Sequence, residues 1–166
     1  LHYPLRRQRQ MCIRDSYISE IQDDLNISIN TVEDYIHDLK KALTKTHVEY
    51  ENIGEFLNGE RIQLNTSVIQ IENEYYSTIR PKRTCPSGER PLNILLSDGI
   101  EYLELRCVDL DPFNPIGIDR NQIDFLDIFL LFCLTKESPP LSKKETQYSI
   151  GSAIGNGTIK MVSAFL

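Results

Sequence analysis

Three stretches of the sequence carry residue types able to do chemistry. In 100–110, side chains alternate if the backbone is extended, so Leu103, Leu105 and Cys107 share one face while Tyr102, Glu104, Arg106 and Val108 share the other. Glu104 and Arg106 then stand about 7 Å apart along a strand, on a segment that is otherwise apolar. In 71–80 the same alternation aligns Glu72, Glu74, Tyr76, Thr78 and Arg80. The third stretch, Thr78 to Arg83, places Arg80, Lys82 and Arg83 around the fixed backbone of Pro81 and leads into Ser87-Gly88-Glu89. Carboxylate oxygens suit Mg²⁺, which is commonly held by one or two carboxylates together with substrate phosphates. The planar fork of arginine suits phosphate. Two such strands in one sheet would form an acidic surface rimmed by arginine, fit for a metal–nucleotide site. The same residues also suit cross-strand ion pairs on a solvated sheet, and the pattern alone leaves both readings open. The basic turn lacks the glycine spacing of a P-loop.

Other reactive side chains fall outside any such grouping. His37 and His47 have no partner at metal-ligand spacing and are expected at the surface. Cys12, Cys85, Cys107 and Cys133 show no CxxC spacing, which argues against a zinc site or a disulfide framework. Cys107 and Cys133 lie among apolar residues and are expected to be inert.

The elements that would position the charged strands can be traced along the chain. Asn30-Thr31-Val32-Glu33 reads as a helix start, and Val32, Tyr35, Ile36, Leu39 and Leu43 continue at helical spacing, predicting a helix over 31–45. Asn58-Gly59 is a hairpin turn signal. Strands are predicted over 61–71, 71–79 and 100–110. Residues 84–98, with Pro86, Gly88 and Pro91, predict a loop with one helical turn. Asp119 or Asn121 caps a helix running to Lys136 that is apolar on nearly all sides and therefore expected to be buried. Pro139-Pro140 ends it. Helix, then strands, then helix gives an α+β class.

The chain has 166 residues, 40% hydrophobic and 25% charged, the composition of a globular domain rather than a disordered chain. Its net charge of −6 is uneven. Residues 1–16 carry Arg6, Arg7, Arg9 and Arg14 against Asp15, leaving 14 basic and 23 acidic groups in the rest. An acidic body disfavours nucleic acid and anionic membranes. The longest apolar run, 128–134, is far too short to span a bilayer. With no signal-peptide core in view, the expected compartment is the cytoplasm. The head shows no helical or strand period, and its MCIRDS segment resembles a translated sequencing-library adapter; a basic arm for an anionic partner is the alternative. The tail from 146 is glycine-rich and aperiodic. The expected organisation is thus a non-native head at 1–16, an informative body at 17–145 and a tail of uncertain origin at 146–166.

Within that body, the runs Gln70–Tyr76, Ile79–Arg83, Ser87–Glu89, Gly99–Arg106, Asp109–Phe113, Pro115–Gly117 and Phe125–Asp127 resemble bacterial glutamate–cysteine ligase of the proteobacterial type. The resemblance runs from about Tyr17 to Ser142, a quarter of a family member. It implies part of a glutamine-synthetase-like fold, an antiparallel sheet with flanking helices. It implies ATP-dependent joining of the γ-carboxylate of glutamate to the amine of cysteine through a γ-glutamyl phosphate, with Mg²⁺ (or Mn²⁺) as cofactor. Glutamate, cysteine and ATP would be the partners. Carried over by position, Glu104 resembles the family's metal ligand and Arg106 its catalytic, phosphate-contacting arginine. Tyr17 and Tyr76 resemble the tyrosines of the amino-acid pocket. Arg80, Lys82 and Arg83 match a motif assigned only to phosphate binding or structural support. The 166 residues alone are expected to be inactive. The alternative is a non-catalytic acidic α+β domain that binds a nucleotide or a protein partner.

Overall fold

The structure, a computed structural model, describes residues 25–77, 79–106, 108 and 110–146. These divide into two compact units, one of 25–27 with 35–76, the other of 28–34 with 77–146.

The first unit is built on helix α1, Val32–Ala42, whose opening residues belong to the second unit. Its N-cap is Thr31, whose Oγ1 accepts from the Asp34 amide at 3.1 Å. Glu33 and Asp34 in the first turn and Lys40 and Lys41 in the last complement the helix dipole. Tyr35, Ile36, Leu39 and Ala42 form its buried stripe, with Leu25, Ile27, Val68, Ile69 and Tyr75 completing the unit's core. Tyr35 meets Tyr75 edge-on, ring centres 6.4 Å apart. A short helix α2, Val48–Ile53, had no signal in the sequence. Strands β1, Phe56–Leu57, and β2, Glu60–Arg61, then pair antiparallel across Asn58-Gly59. Both turn residues have positive φ, 52° and 87°, as this two-residue hairpin requires.

The strands predicted over 61–71 and 71–79 are absent. After Arg61 the chain folds into turns, and polar side chains satisfy its backbone. The Leu64 amide donates to Gln70 Oε1, Ser67 to Asn65 Oδ1, and Gln70 to a Glu74 carboxylate oxygen. Such local bonds compete with a ladder. Only the Thr46–Ser67 bridge has strand character there. Among the described residues no strand therefore aligns Glu72, Glu74 and Tyr76 with Arg80.

The second unit holds a two-stranded antiparallel sheet, β3 Ile79–Lys82 with β4 Tyr102–Leu105. The register pairs Ile79 with Leu105, Arg80 with Glu104, Pro81 with Leu103 and Lys82 with Tyr102. Between them lies α3, Pro91–Asp98, a full helix where the sequence predicts one turn. Pro91 starts it, since the first helical N–H needs no intrahelical acceptor. Helix α4, Arg120–Thr135, begins at Asp119 with a complete capping box: Asp119 accepts from the Gln122 amide, and the Gln122 side chain accepts from the Asp119 amide. Ile29, Ile79, Leu92, Leu95 and Cys133 are buried. The expectation that α4 is buried is corrected. Only Cys133 is, while Phe125 and Ile128 are more than 60% exposed. Asn30 ties the start of this unit to the segment after α4 through two bonds with the Leu141 backbone, at 3.0 and 2.8 Å.

Fold class follows from these elements: small antiparallel sheets with flanking helices, α+β. Among the described residues no helix is long and apolar enough to cross a membrane.

Candidate functional site: the charged face of the β3–β4 ladder

Two short strands in this register put Ile79, Pro81, Leu103 and Leu105 on one face and Arg80, Lys82, Tyr102 and Glu104 on the other. Arg106 follows directly on β4. The apolar face is anchored by Ile79, which is fully buried. That burial fixes which way the charged set points, because a one-residue slip would bring the ions into the core.

Glu104 is the hub of this face. Its Oε1 accepts from Arg106 Nε at 2.9 Å and its Oε2 from Arg106 Nη2 at 3.2 Å, a bidentate fork. Lys82 Nζ stands 3.5 Å from the same Oε2. All three side chains are partly buried. Arg80, at 5% exposure, is directly opposite Glu104 in the ladder. Burial pushes the Glu104 carboxyl up, but the Arg106 hydrogen bond and charge, helped by Lys82 and Arg80, outweigh it and hold the group below the usual carboxylate range. Lys82 is held below its ordinary value by burial and then by Arg80, a pull that Glu104 only partly offsets.

Lys82 and Arg106 thus share one carboxylate, and Arg80 stands opposite it in the ladder. The glutamates of 72 and 74 lie on no strand among the described residues, so the two-strand alignment expected for the acidic, arginine-rimmed surface is not present there. Guanidinium forks of the kind Arg106 offers suit carboxylate and phosphate alike. Among the described residues no three His, Cys, Asp or Glu side chains gather as a metal cage. On this face Glu104 is the one carboxylate described, so it could give Mg²⁺ at most a single protein ligand, with the rest left to substrate phosphates and water.

The other predicted residues divide. Arg83 faces away from the ladder's charged row and holds a helix end instead. Its Nη1 donates to the Asp98 and Gly99 carbonyls at 2.7 and 3.3 Å, and its Nε is 3.9 Å from the Asp98 carboxylate. It satisfies the carbonyl end of α3. Nearby, Glu101 accepts from the Thr84 amide at 2.7 Å, a bond that holds its carboxyl low. Tyr76 belongs to the first unit and is half-buried. Tyr17 and Cys107 lie outside the described residues. Cys133 is buried, and burial pushes its thiol up, consistent with an inert side chain. His37 is exposed as expected; His47 is half-buried and packs against Tyr50, ring centres 5.0 Å apart.

An open hollow of about 690 Å³ in the first unit contains none of these residues. Its Gln63 and Gln70 side chains are hydrogen-bonded to each other, and Gln63 also donates to the Tyr50 and Gly54 carbonyls. Sequence reasoning missed the role of Asp98 and Gly99 as the seat of Arg83. The signal was present in Gly99, a helix-ending residue with positive φ of 76°.

Comparison with known proteins gives this geometry a setting. The profile of the family described as glutamate-cysteine ligase matches residues 10–152. A glutamate–cysteine ligase of Azotobacter vinelandii is 47% identical over 136 residues, 82% of this chain and 26% of that protein. One of Proteus mirabilis is 46% identical over 129 residues, 78% of this chain and 24% of that protein. Among solved structures, glutamate–cysteine ligase of Francisella tularensis in complex with AMP superimposes with a TM-score of 0.75 at 38% identity, covering 89% of this chain and 28% of that one. The chain spans about a quarter of the length of the relatives it matches.

Proposed function

Since the chain belongs to the glutamate–cysteine ligase family, we propose that its β3–β4 face is the phosphoryl-handling part of an ATP-dependent ligase. That enzyme joins the γ-carboxylate of glutamate to the amine of cysteine, in the cytoplasm. The observation that carries the proposal is the bidentate Arg106 fork on Glu104 with Lys82 beside it and Arg80 opposite it in the ladder.

The chemistry needs such a face. A carboxylate is a poor electrophile. Transfer of the terminal phosphoryl group of ATP to the glutamate γ-carboxylate gives an acyl phosphate, and the cysteine amine then displaces inorganic phosphate to leave the amide. Charge on the transferring phosphoryl oxygens must be met by fixed positive groups. Arg106 offers a planar fork directly after β4, and Arg80 and Lys82 add charge from the neighbouring strand. Glu104 would hold Mg²⁺, which when bound neutralises phosphate charge. Tyr17 and Tyr76 would line the amino-acid pocket. Arg83 would support the loop after β3 by holding the end of α3. The chain carries one share of the site, and the 166 residues alone are expected to make no ADP with glutamate and cysteine.

The test is Glu104→Gln in a complete family member that carries these residues. Turnover should fall by about 10² or more, the scale of losing a group that meets transition-state charge. Activity within twofold of the parent would exclude the role of Glu104.

A further inference from the structure

Lys82 is the last residue of β3, where a strand opens most readily. Pro81 beside it has no N–H to give to a ladder. The Lys82 ammonium nevertheless stands 3.5 Å from Glu104 Oε2 on the charged face. The hold on it comes from Glu101, just before β4, through two groups at once. The Glu101 amide donates to the Lys82 carbonyl at 2.9 Å, and Glu101 Oε2 accepts from the Thr84 amide at 2.7 Å. β3 ends at Lys82, so the Thr84 N–H lies beyond the ladder, and a side-chain carboxylate takes the place of a strand partner. Thr84 holds that carboxyl below its usual range, which keeps it ionised and a strong acceptor at neutral pH. Arg83, between the two bonded residues, turns to the Asp98 and Gly99 carbonyls and so braces the end of α3 rather than Lys82.

Resting on the reading of this face as phosphoryl-handling, we propose that Glu101 is a positioning residue for Lys82, clamping the chain from the Lys82 carbonyl to the Thr84 amide so that the ammonium stays on the charged face. Its role is exerted through the backbone at the end of β3, with no contact to phosphate required. Loss of the Thr84 bond leaves the Glu101 amide alone to hold the strand end. The Lys82 stem is long and rich in rotamers, so a loosened backbone spreads its charge over directions that do not meet phosphate. The length of the side chain at 101 matters more than its charge. Glutamine keeps an oxygen at the same reach, whereas aspartate keeps the charge but stops one methylene short of the Thr84 amide.

The experiment is a double-mutant cycle on kcat/KM for ATP in a complete family member that carries these residues. Lys82→Met should lose about tenfold, the scale of one charge-assisted bond to phosphate. Glu101→Ala should lose about fivefold, the scale of one net hydrogen bond. In the Lys82→Met background Glu101→Ala should cost less than about twofold, because two residues that act through one contact do not add. A general loss of stability would lower activity equally in both backgrounds, so the cycle tells it from positioning. Glu101→Gln should keep most of the activity and Glu101→Asp little of it. Full additivity, or Glu101→Ala equal to the parent, overturns the positioning role and leaves the reading of the face intact as long as Lys82→Met loses activity. Lys82→Met equal to the parent refutes the action of Lys82 on phosphate, and the proposal with it. If Glu101→Ala fails to fold, Glu101→Gln and Glu101→Asp decide, and Glu101→Asp as active as Glu101→Gln overturns the clamp.

Discussion

Residues 61–76 and the β3–β4 ladder carry similar alternating patterns and fold differently. Each run mixes β-branched or aromatic residues with spaced charges. In the ladder, Lys82 and Glu104 pair with each other and Glu104 with Arg106, and the main-chain groups of Ile79–Lys82 pair with Tyr102–Leu105. In 61–76, Gln63, Asn65, Gln70 and Glu74 turn back onto nearby amides and carbonyls. The difference teaches that alternation decides which face a strand presents only once the backbone has nowhere else to bond. Had 71–80 been a strand, Glu72 and Glu74 would share a face with Arg80.

The comparison is broken most directly by chemistry. Arg106→Lys keeps the charge and loses the fork. In a complete family member it should lower kcat by about 10-fold to 10²-fold, since losing one preorganised donor to transition-state charge costs up to about 10³. Arg83→Lys, which alters an arginine seated on helix carbonyls, should leave kcat within about threefold, and any loss should be in thermal stability. Steady-state kinetics on both variants checks this. Equal loss of kcat in the two would mean that the ladder face is not the phosphoryl-handling surface.

A second test addresses the region that refuses to be a strand. Gln63 is half-buried and makes three side-chain bonds: to the Tyr50 and Gly54 carbonyls, both at 2.7 Å, and from Gln70 at 3.1 Å. Gln63→Ala should destabilise the chain by about 2 kcal/mol, the scale of losing two or three such bonds at about 1 kcal/mol each with partial replacement by water. Urea unfolding measures it. A change under about 0.5 kcal/mol, below the usual worth of even one such bond, would show that the turns of 61–76 are not held by their amides.

What the sequence made legible follows the same line. Period and cap chemistry located α1 and α4 and narrowed the cap of α4 to Asp119 or Asn121, of which the structure uses Asp119, because those signals are local. The Glu104–Arg106 pair was legible from a two-residue spacing. The approach of Lys82 was not, since it depends on the register between β3 and β4. Helix α3 was hidden by Pro91, which in isolation reads as a breaker and here occupies the one helical position that favours it. Helix α4 reads as buried in the sequence because Phe125, Ile128, Phe129 and Leu130 surround it. Apolar content states what burial a helix would tolerate, and the contacts of its own unit cover only the side bearing Cys133.

The Asp119 capping box offers a smaller effect. Asp119→Ala removes the acceptor for the Gln122 amide at 2.8 Å and should cost about 1 kcal/mol, read as a lower urea midpoint with an unchanged slope. A neutral outcome would mean that α4 is fixed by packing alone.

The smallest expected effect is on pH dependence. Glu104 is held below the usual carboxylate range although burial opposes this, because Arg106, then Lys82 and Arg80, favour its charged form. A depressed folded-state value means that the folded protein binds fewer protons there than the unfolded chain does. The stabilisation is fully present above the unfolded carboxylate value of about 4.3 and is lost as pH falls through the lower folded value. The side chain is about a third exposed, so solvent screening limits the contribution to under about 1 kcal/mol. Lys82 runs the other way. Its value is lowered, so its charged form is disfavoured on folding, a cost present at neutral pH and relieved only as pH rises toward the ordinary lysine value. The two windows do not overlap. Urea unfolding between about pH 3 and pH 6, a range that brackets the carboxylate titration, should therefore show a slope in the parent that is shallower in Glu104→Gln, while Lys82→Met leaves most of that acid slope in place through Arg106. An acid slope abolished by Lys82→Met would transfer the hold on Glu104 from the fork to the cross-strand lysine.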